Sequence, residues 1–147
     1  MAPIVVRYSA GAVLLRIPRA EQTESWQGRP LAEAETPSWL VAVRAAESKK
    51  AGDIRVLDLR GVASFTDFFV LCTAYNPRQS QAISDEIVTQ LKKRGETPLS
   101  LEGYEHAEWI LADYGDYIVH IFSERARLYY DLERLWRHAK VVPVPPA

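Results

Sequence analysis

The chain has 147 residues, of which 48% are hydrophobic, 25% charged and 10% aromatic, a composition typical of one soluble globular domain. With 18 basic and 19 acidic residues its formal charge is -1, so it lacks the cationic surplus that bulk DNA or RNA binding requires. A single cysteine, Cys72, excludes an intrachain disulfide and a multi-thiolate metal site and favours a reduced, cytoplasmic setting. No apolar run reaches the roughly 18 residues of a membrane-spanning helix, so no membrane contact is expected.

Residues 1–36 are predicted to be a poorly ordered N-terminal extension. They show no sustained hydrophobic period, contain three prolines and carry balanced charges, a pattern that does not favour a packed core. Three arginines and no acidic residue in positions 1–20 are also compatible with an organelle transit peptide, which is the alternative to a cytoplasmic chain. The organised domain is expected over residues 37–140.

The first half of that domain is predicted to contain one helix and two strands. Thr36 and Pro37 form a capping start, and the helix should end near Lys50. Branched apolar residues over 54–59 predict a strand. The run over 68–73 is almost entirely apolar, which is typical of a strand buried on both faces.

The second half of the domain is predicted to contain two helices and three strands. A second helix starts at Asn76 and Pro77 and stops near Gly95. Strands are expected over 98–101, 109–112 and 117–122, the last two joined as a hairpin. A final helix follows Ser123, with core spacing at Leu128, Leu132, Leu135, Trp136 and Ala139.

Residues 141–147 form a Pro-rich tail that cannot continue this helix. The predicted order is α-β-β-α-β-β-β-α. It implies an α/β fold, a mixed five-stranded sheet with packed helices.

Charge is segregated in the second half of the domain. No Lys or Arg occurs between Arg94 and Arg125, whereas acidic residues are frequent there and are interleaved with aromatic ones. This pattern suits a docking surface for a basic partner, since opposed potentials steer encounter and buried aromatic rings supply affinity. The alternative is a solvated acidic face with its aromatic residues in the core.

An enzymatic hypothesis rests on Asp113, Asp116 and His120, which could hold a divalent metal or exchange protons as in a nucleotidyltransferase or a metal-dependent phosphohydrolase. Their spacing does not predict convergence on one ion, and the scattered glycines form no phosphate-cradling loop. We therefore expect no catalytic residues, no metal and no cofactor.

Aromatic and basic side chains of the last helix give two weaker partner hypotheses. Tyr129, Tyr130 and Trp136 could form a base-stacking platform for RNA, although core packing accounts for them better. A modest basic stripe could touch RNA at a periphery; it comprises Arg125, Arg127, Arg134, Arg137 and Lys140. Exposed aromatic residues could also pair two copies of the domain as a homodimer.

Four blocks of the sequence resemble one known family. They are SFTDFFV at 64–70, RQSQAI at 78–83, EWILADYGDYIVHIF at 108–122 and YYDLERLW at 129–136. In this order and with these gaps they are similar to the ribosomal silencing factor family, also called RsfS, Iojap or YbeB, over about residues 38–140.

The resemblance implies a non-catalytic factor with a fold similar to a nucleotidyltransferase core. It implies that the factor binds the large ribosomal subunit through universal ribosomal protein fourteen and blocks joining of the small subunit. Organelle relatives imply a role in large-subunit assembly as the alternative. The docking surface carried over from the family comprises residues that touch the partner or support the surface from within: Trp109, Ile110, Asp113, Tyr114, Asp116 and His120.

Overall fold

A computed structural model describes residues 36–147. Its helices are α1 (Ser38–Ser48), α2 (Pro77–Lys92), α3 (Glu124–Tyr130) and α4 (Leu132–Leu135). Its strands are β1 (Gly52–Asp58), β2 (Phe68–Ala74), β3 (Ser100–Glu102), β4 (Trp109–Asp113), β5 (Tyr117–Ser123) and β6 (Lys140–Val142). The predicted N-terminal extension lies, apart from Thr36, outside these residues. None of the helices within 36–147 has the length and apolar character needed to cross a bilayer.

The strands form one mixed sheet in the order β3-β4-β5-β2-β1-β6. β2 and β5 pair in parallel, and all other neighbouring strands pair antiparallel. The mixed α/β class is confirmed, but the predicted count of five strands is wrong because β6 adds a sixth. β6 follows a helical segment and precedes three prolines, so its three residues give no strand pattern of their own.

The C-terminal segment is attached to the domain, and sheet pairing extends past the expected boundary at residue 140. Val142 pairs with Val56 of β1, and Val144 packs against the core. Arg44 of α1 donates hydrogen bonds to the carbonyl oxygens of Pro145 and Pro146, at 2.6 and 3.2 Å. The C-terminal segment therefore supplies the edge strand beside β1.

One of the two predicted helix caps, at Asn76, is present, and Ser123 caps α3 as well. The Asn76 side chain accepts a hydrogen bond from the backbone N–H of Gln79 at 2.8 Å, and the Ser123 hydroxyl accepts one from Ala126 at 3.1 Å. The Thr36 cap is wrong, because α1 has Pro37 in the N-cap position and no side chain accepts there. The Pro37 carbonyl oxygen accepts the first hydrogen bonds of the helix, from the N–H groups of Leu40 and Val41.

The predicted last helix is broken at Asp131. This residue has a φ of 49°, a left-handed conformation that ends α3 and turns the chain into the short α4. The break interrupts the 3.6-residue period, and Leu128 and Leu135, predicted to lie in the core, are 81% and 57% exposed. Leu132 is buried as predicted.

The core lies in two layers, one on each face of the sheet. Helices α1 and α2 cover one face, where Ile110 and Val119 belong to the buried cluster. On the other face, α3, α4 and the loop after β1 cover a second cluster that includes Phe69 and Phe122. Every residue of β2 is buried, which confirms the prediction that this strand is covered on both faces.

The turn between β3 and β4 approaches the start of β4 closely at Gly103. This residue has a φ of 80°, and a Cβ atom built on it would lie 2.0 Å from the carbonyl oxygen of Trp109. Gly61 has nearly the same φ, 81°, but a Cβ there would meet nothing within 4 Å. The two glycines thus share a backbone conformation and differ in the space around it.

This difference gives a matched pair of substitutions. Gly61→Ala should lower the free energy of unfolding by about 1 kcal/mol, the cost of a left-handed alanine. Gly103→Ala should lower it by about 3 kcal/mol or more, because the methyl group also collides with a carbonyl held in the sheet. Chemical denaturation measures both values, and equal losses would contradict the close approach.

Candidate docking surface

The six residues predicted to form a partner-binding surface do not share one face. Side chains alternate along a strand, so within β4 Trp109 and Asp113 lie on the α3–α4 side of the sheet and Ile110 lies on the α1–α2 side. His120 of β5 lies on the same side as Trp109, and Tyr114 packs with the α1–α2 cluster. These residues are close together in the sequence, but the alternation of side chains along the strands places them on opposite faces of the sheet.

Only half of the predicted set reaches solvent. Asp116 is exposed in the β4–β5 turn, and Trp109 and Tyr114 are half-buried. The remaining three are 0% exposed and cannot touch a partner directly in this conformation: Ile110, Asp113 and His120. They can contribute only by supporting the surface from within.

Trp109 lies in an aromatic cluster at the first residue of β4. Its ring lies 4.8 Å from that of Phe122 and 4.4 Å from that of Tyr130, measured between ring centroids. Its indole N–H donates a hydrogen bond to Nδ1 of His120 at 3.1 Å. Trp109 is therefore held by three contacts while part of its ring stays accessible.

The rings continue from Trp109 onto the outer surface of α3. Tyr130 meets Tyr129 edge-on at 4.9 Å, Tyr129 is 69% exposed, and the preceding Leu128 is also exposed. The sequence favours core packing for these aromatic residues; Tyr130 packs against the second core cluster, whereas Tyr129 is exposed. We call the residues Glu108, Trp109, Leu128, Tyr129 and Tyr130 the Trp109 face.

The acidic run contributes to this surface only in part. Glu108 is exposed beside Trp109, where it accepts a hydrogen bond from the Ser123 hydroxyl at 2.8 Å. Glu96 instead accepts hydrogen bonds from the hydroxyls of Ser38 and Tyr117 inside the fold. The carboxylates that face solvent include Glu105, Glu108 and Asp116, so only part of the acidic run lies at the surface.

Tyr114 and Asp113 have perturbed acidities because of burial. Burial raises the pKa of Tyr114 to about 12, with a further contribution from the negative charge of Glu96. Burial also raises the pKa of Asp113 to about 6, although the N–H of Gly115, which donates to its Oδ1 at 2.8 Å, opposes the shift. The Asp113 carboxyl thus organises the β4–β5 turn rather than facing a partner.

The enzymatic hypothesis gains no support from the geometry. Among residues 36–147, no group of three or more His, Cys, Asp and Glu side chains is arranged to hold a metal ion. Asp113 and His120 are each hydrogen-bonded inside the fold, and Asp116 is exposed in the β4–β5 turn.

The raised pKa of Asp113 makes the stability of the domain depend on pH. A carboxyl whose pKa is higher in the folded than in the unfolded chain binds its proton more tightly when folded. Its stabilising contribution is complete below the unfolded value near pH 4 and is lost as the pH rises through about 6. Asp113→Asn removes this dependence.

As the pH is raised from 4 to 8, the free energy of unfolding of Asp113→Asn should therefore increase relative to that of the parent protein. Urea denaturation at both pH values measures the change, and Glu105→Gln, an exposed acid, serves as the control. Parallel pH profiles of the parent and Asp113→Asn would contradict the assignment.

The chain is similar to the members of one known protein family. The family model described as ribosomal silencing factor during starvation matches residues 32–147. The ribosomal silencing factor RsfS of Halalkalibacterium halodurans is 40% identical over 102 residues, which are 69% of this chain and 87% of that protein. The RsfS of Bacillus subtilis is 39% identical, covering 67% of this chain and 84% of that protein.

A solved structure agrees with these relatives. The crystal structure of a protein from Bacillus halodurans superimposes with a TM-score of 0.63 at 39% identity, over 70% of this chain and 93% of that one. The sequence matches and the shared fold cover the same domain. The chain accordingly belongs to the ribosomal silencing factor family.

Proposed function

We propose that this protein binds the large ribosomal subunit through universal ribosomal protein fourteen and blocks its association with the small subunit, which represses translation. The observation that carries the proposal is the Trp109 face, a solvent-reaching aromatic surface with an acidic residue at its border. Membership of the ribosomal silencing factor family supports the ribosome as the partner.

The composition of the Trp109 face fits a basic protein partner. Aromatic side chains such as Trp109 and Tyr129 bury large areas at low entropic cost and are typical binding hot spots. The exposed Glu108 carboxylate, which lies 3.6 Å from the guanidinium of Arg125, supplies a negative charge at the edge of this face that can pair with a cationic surface. Ribosomal proteins are generally basic, so the two charges are complementary.

The mode of action in this proposal is obstruction without catalysis. A domain seated on a contact that the small subunit needs prevents joining simply by occupying it, so inhibition follows the fraction of large subunits bound. The buried groups of the site, Asp113 and His120, hold the structure of the surface and make no bond to a substrate. Exposed Arg125, Arg134 and Arg137 would add a secondary contact to ribosomal RNA phosphates.

Truncation of the central ring tests the docking face. Trp109→Ala should weaken binding to purified large subunits by about 2 kcal/mol or more, about thirtyfold in Kd. The control is Leu99→Ala, which removes a side chain that is 65% exposed beside the β4–β5 turn, at the opposite end of β4. Co-sedimentation at limiting concentration measures both. A folded Trp109→Ala protein that binds like the parent would contradict the face.

Subunit joining tests the mechanism separately. With purified subunits, the parent protein should lower the fraction of joined ribosomes in proportion to its occupancy of large subunits. Trp109→Ala should need about thirtyfold more protein for the same effect. Full binding with unimpaired joining would contradict silencing by obstruction and favour the assembly role instead.

A further inference from the structure

The indole N–H of Trp109 donates a hydrogen bond to His120, which lies in the apolar core on the α3–α4 side of the sheet. His120 is fully buried, and its ring packs edge-on against Phe69 with centroids 4.4 Å apart and lies parallel to Phe122 at 6.0 Å. The 3.1 Å bond from the indole N–H to Nδ1 links this interior to a ring that reaches solvent. A polar side chain thus occupies a position whose neighbours are rings and aliphatic groups.

The protonation state of His120 is fixed by this environment. Burial, with a smaller effect of the positive charge of Arg127, lowers its pKa to about 3, so the imidazole is neutral at physiological pH. Because Nδ1 accepts from Trp109, the single proton lies on Nε2. Within residues 36–147, Nε2 has no hydrogen-bond partner.

Packing alone does not account for a histidine here. An apolar residue of similar volume would fill the layer without burying an unpaired N–H, which is a destabilising feature. What the histidine supplies and an apolar residue cannot is an acceptor for Trp109. The unpaired N–H at Nε2 lowers the stability of the fold, whereas the bond at Nδ1 fixes the orientation of the Trp109 indole.

The bond determines which edge of the indole turns inward. Contacts with Phe122 and Tyr130 restrain the ring, but apolar contacts alone do not distinguish its N–H edge from its hydrocarbon edge. A hydrogen bond is directional, so acceptance by Nδ1 directs the N–H edge inward. The half-buried ring is thereby held in one orientation.

We propose that His120 is a positioning residue, which holds Trp109 in its docking orientation by accepting the indole N–H at Nδ1. The inference rests on the proposed function, because it assigns Trp109 to the docking face. Pre-organisation of an anchor lowers the entropy lost when it is buried in an interface. His120 therefore contributes to affinity without touching the partner.

The first test uses the free protein and requires no ribosome. In His120→Asn the side-chain oxygen can take the place of Nδ1 as acceptor, whereas His120→Leu has no acceptor. Solvent exchange of the Trp109 indole proton, followed by nuclear magnetic resonance, should stay slow in the parent and in His120→Asn. It should accelerate about tenfold in His120→Leu, because the N–H loses its partner. Unchanged exchange in His120→Leu would overturn the proposal.

The second test measures binding to purified large subunits. His120→Leu should raise Kd about tenfold and His120→Asn no more than about threefold. In a Trp109→Phe background, which lacks the donor, His120→Leu should cause no further loss. Equal losses in both backgrounds would overturn the proposal, since they indicate a general structural role. Thermal melting confirms folding, and His120→Phe replaces His120→Leu if the latter does not fold.

The two proposals fail in different ways. If the docking face is wrong, Trp109→Ala binds like the parent while the indole exchange still depends on His120. If the positioning role is wrong, Trp109→Ala loses affinity but the exchange and the affinity are insensitive to the acceptor at position 120. The exchange measurement therefore separates a misassigned surface from a misassigned histidine.

Discussion

The parallel pair of β2 and β5 at the centre of the sheet is the constraint on which the rest of the structure depends. The pairing runs from Phe68 opposite Tyr117 to Ala74 opposite Ser123, and both strands are buried along nearly their whole length. Strands covered on both faces require two layers of packing. Two long helices supply one layer, whereas the other is built from short helices and a loop. On that thinner side, Trp109 belongs to the core and to the surface at once.

Polar groups buried on the thinner side hold the short helices in place. Arg127 of α3 is 7% exposed and donates hydrogen bonds to the Thr73 hydroxyl at 2.9 Å, the Asp53 carbonyl at 3.0 Å and the Glu133 carboxylate at 2.8 Å. These contacts tie α3 to β1, β2 and α4. α3 is thus anchored through a buried charge that is hydrogen-bonded to protein groups, the condition under which a buried charge is tolerated.

Local signals in the sequence were sufficient for most of the fold. The Asn76 cap and a regular apolar period predict α2, and the apolar run of β2 predicts its central place. The sequence does not reveal β6, because three residues before a proline cluster become a strand only through pairing with β1. It also does not reveal the left-handed Asp131, since the apolar spacing of Leu128 and Leu135 continues the helical pattern across the break.

The candidate site stays a prediction, made from the sequence as one segment with six named side chains, of which the structure leaves three at the surface. The absence of basic residues between Arg94 and Arg125 and the aromatic residues there indicate a partner surface. Alternation along β4 and β5 then decides which side chains reach solvent, and this depends on how completely each face is covered. Ile110, Asp113 and His120 are internal for that reason. Tyr129 lies outside the acidic segment, so charge alone does not single it out.

Photo-crosslinking to purified large subunits tests the central claim most directly, because it identifies the face and the partner together. A photoreactive phenylalanine derivative is placed either at Tyr129, on the Trp109 face, or at Thr89, on α2 at the opposite side of the sheet. The account predicts crosslinks from position 129 to universal ribosomal protein fourteen and none to that protein from position 89. Crosslinks to it from position 89 alone would contradict the account.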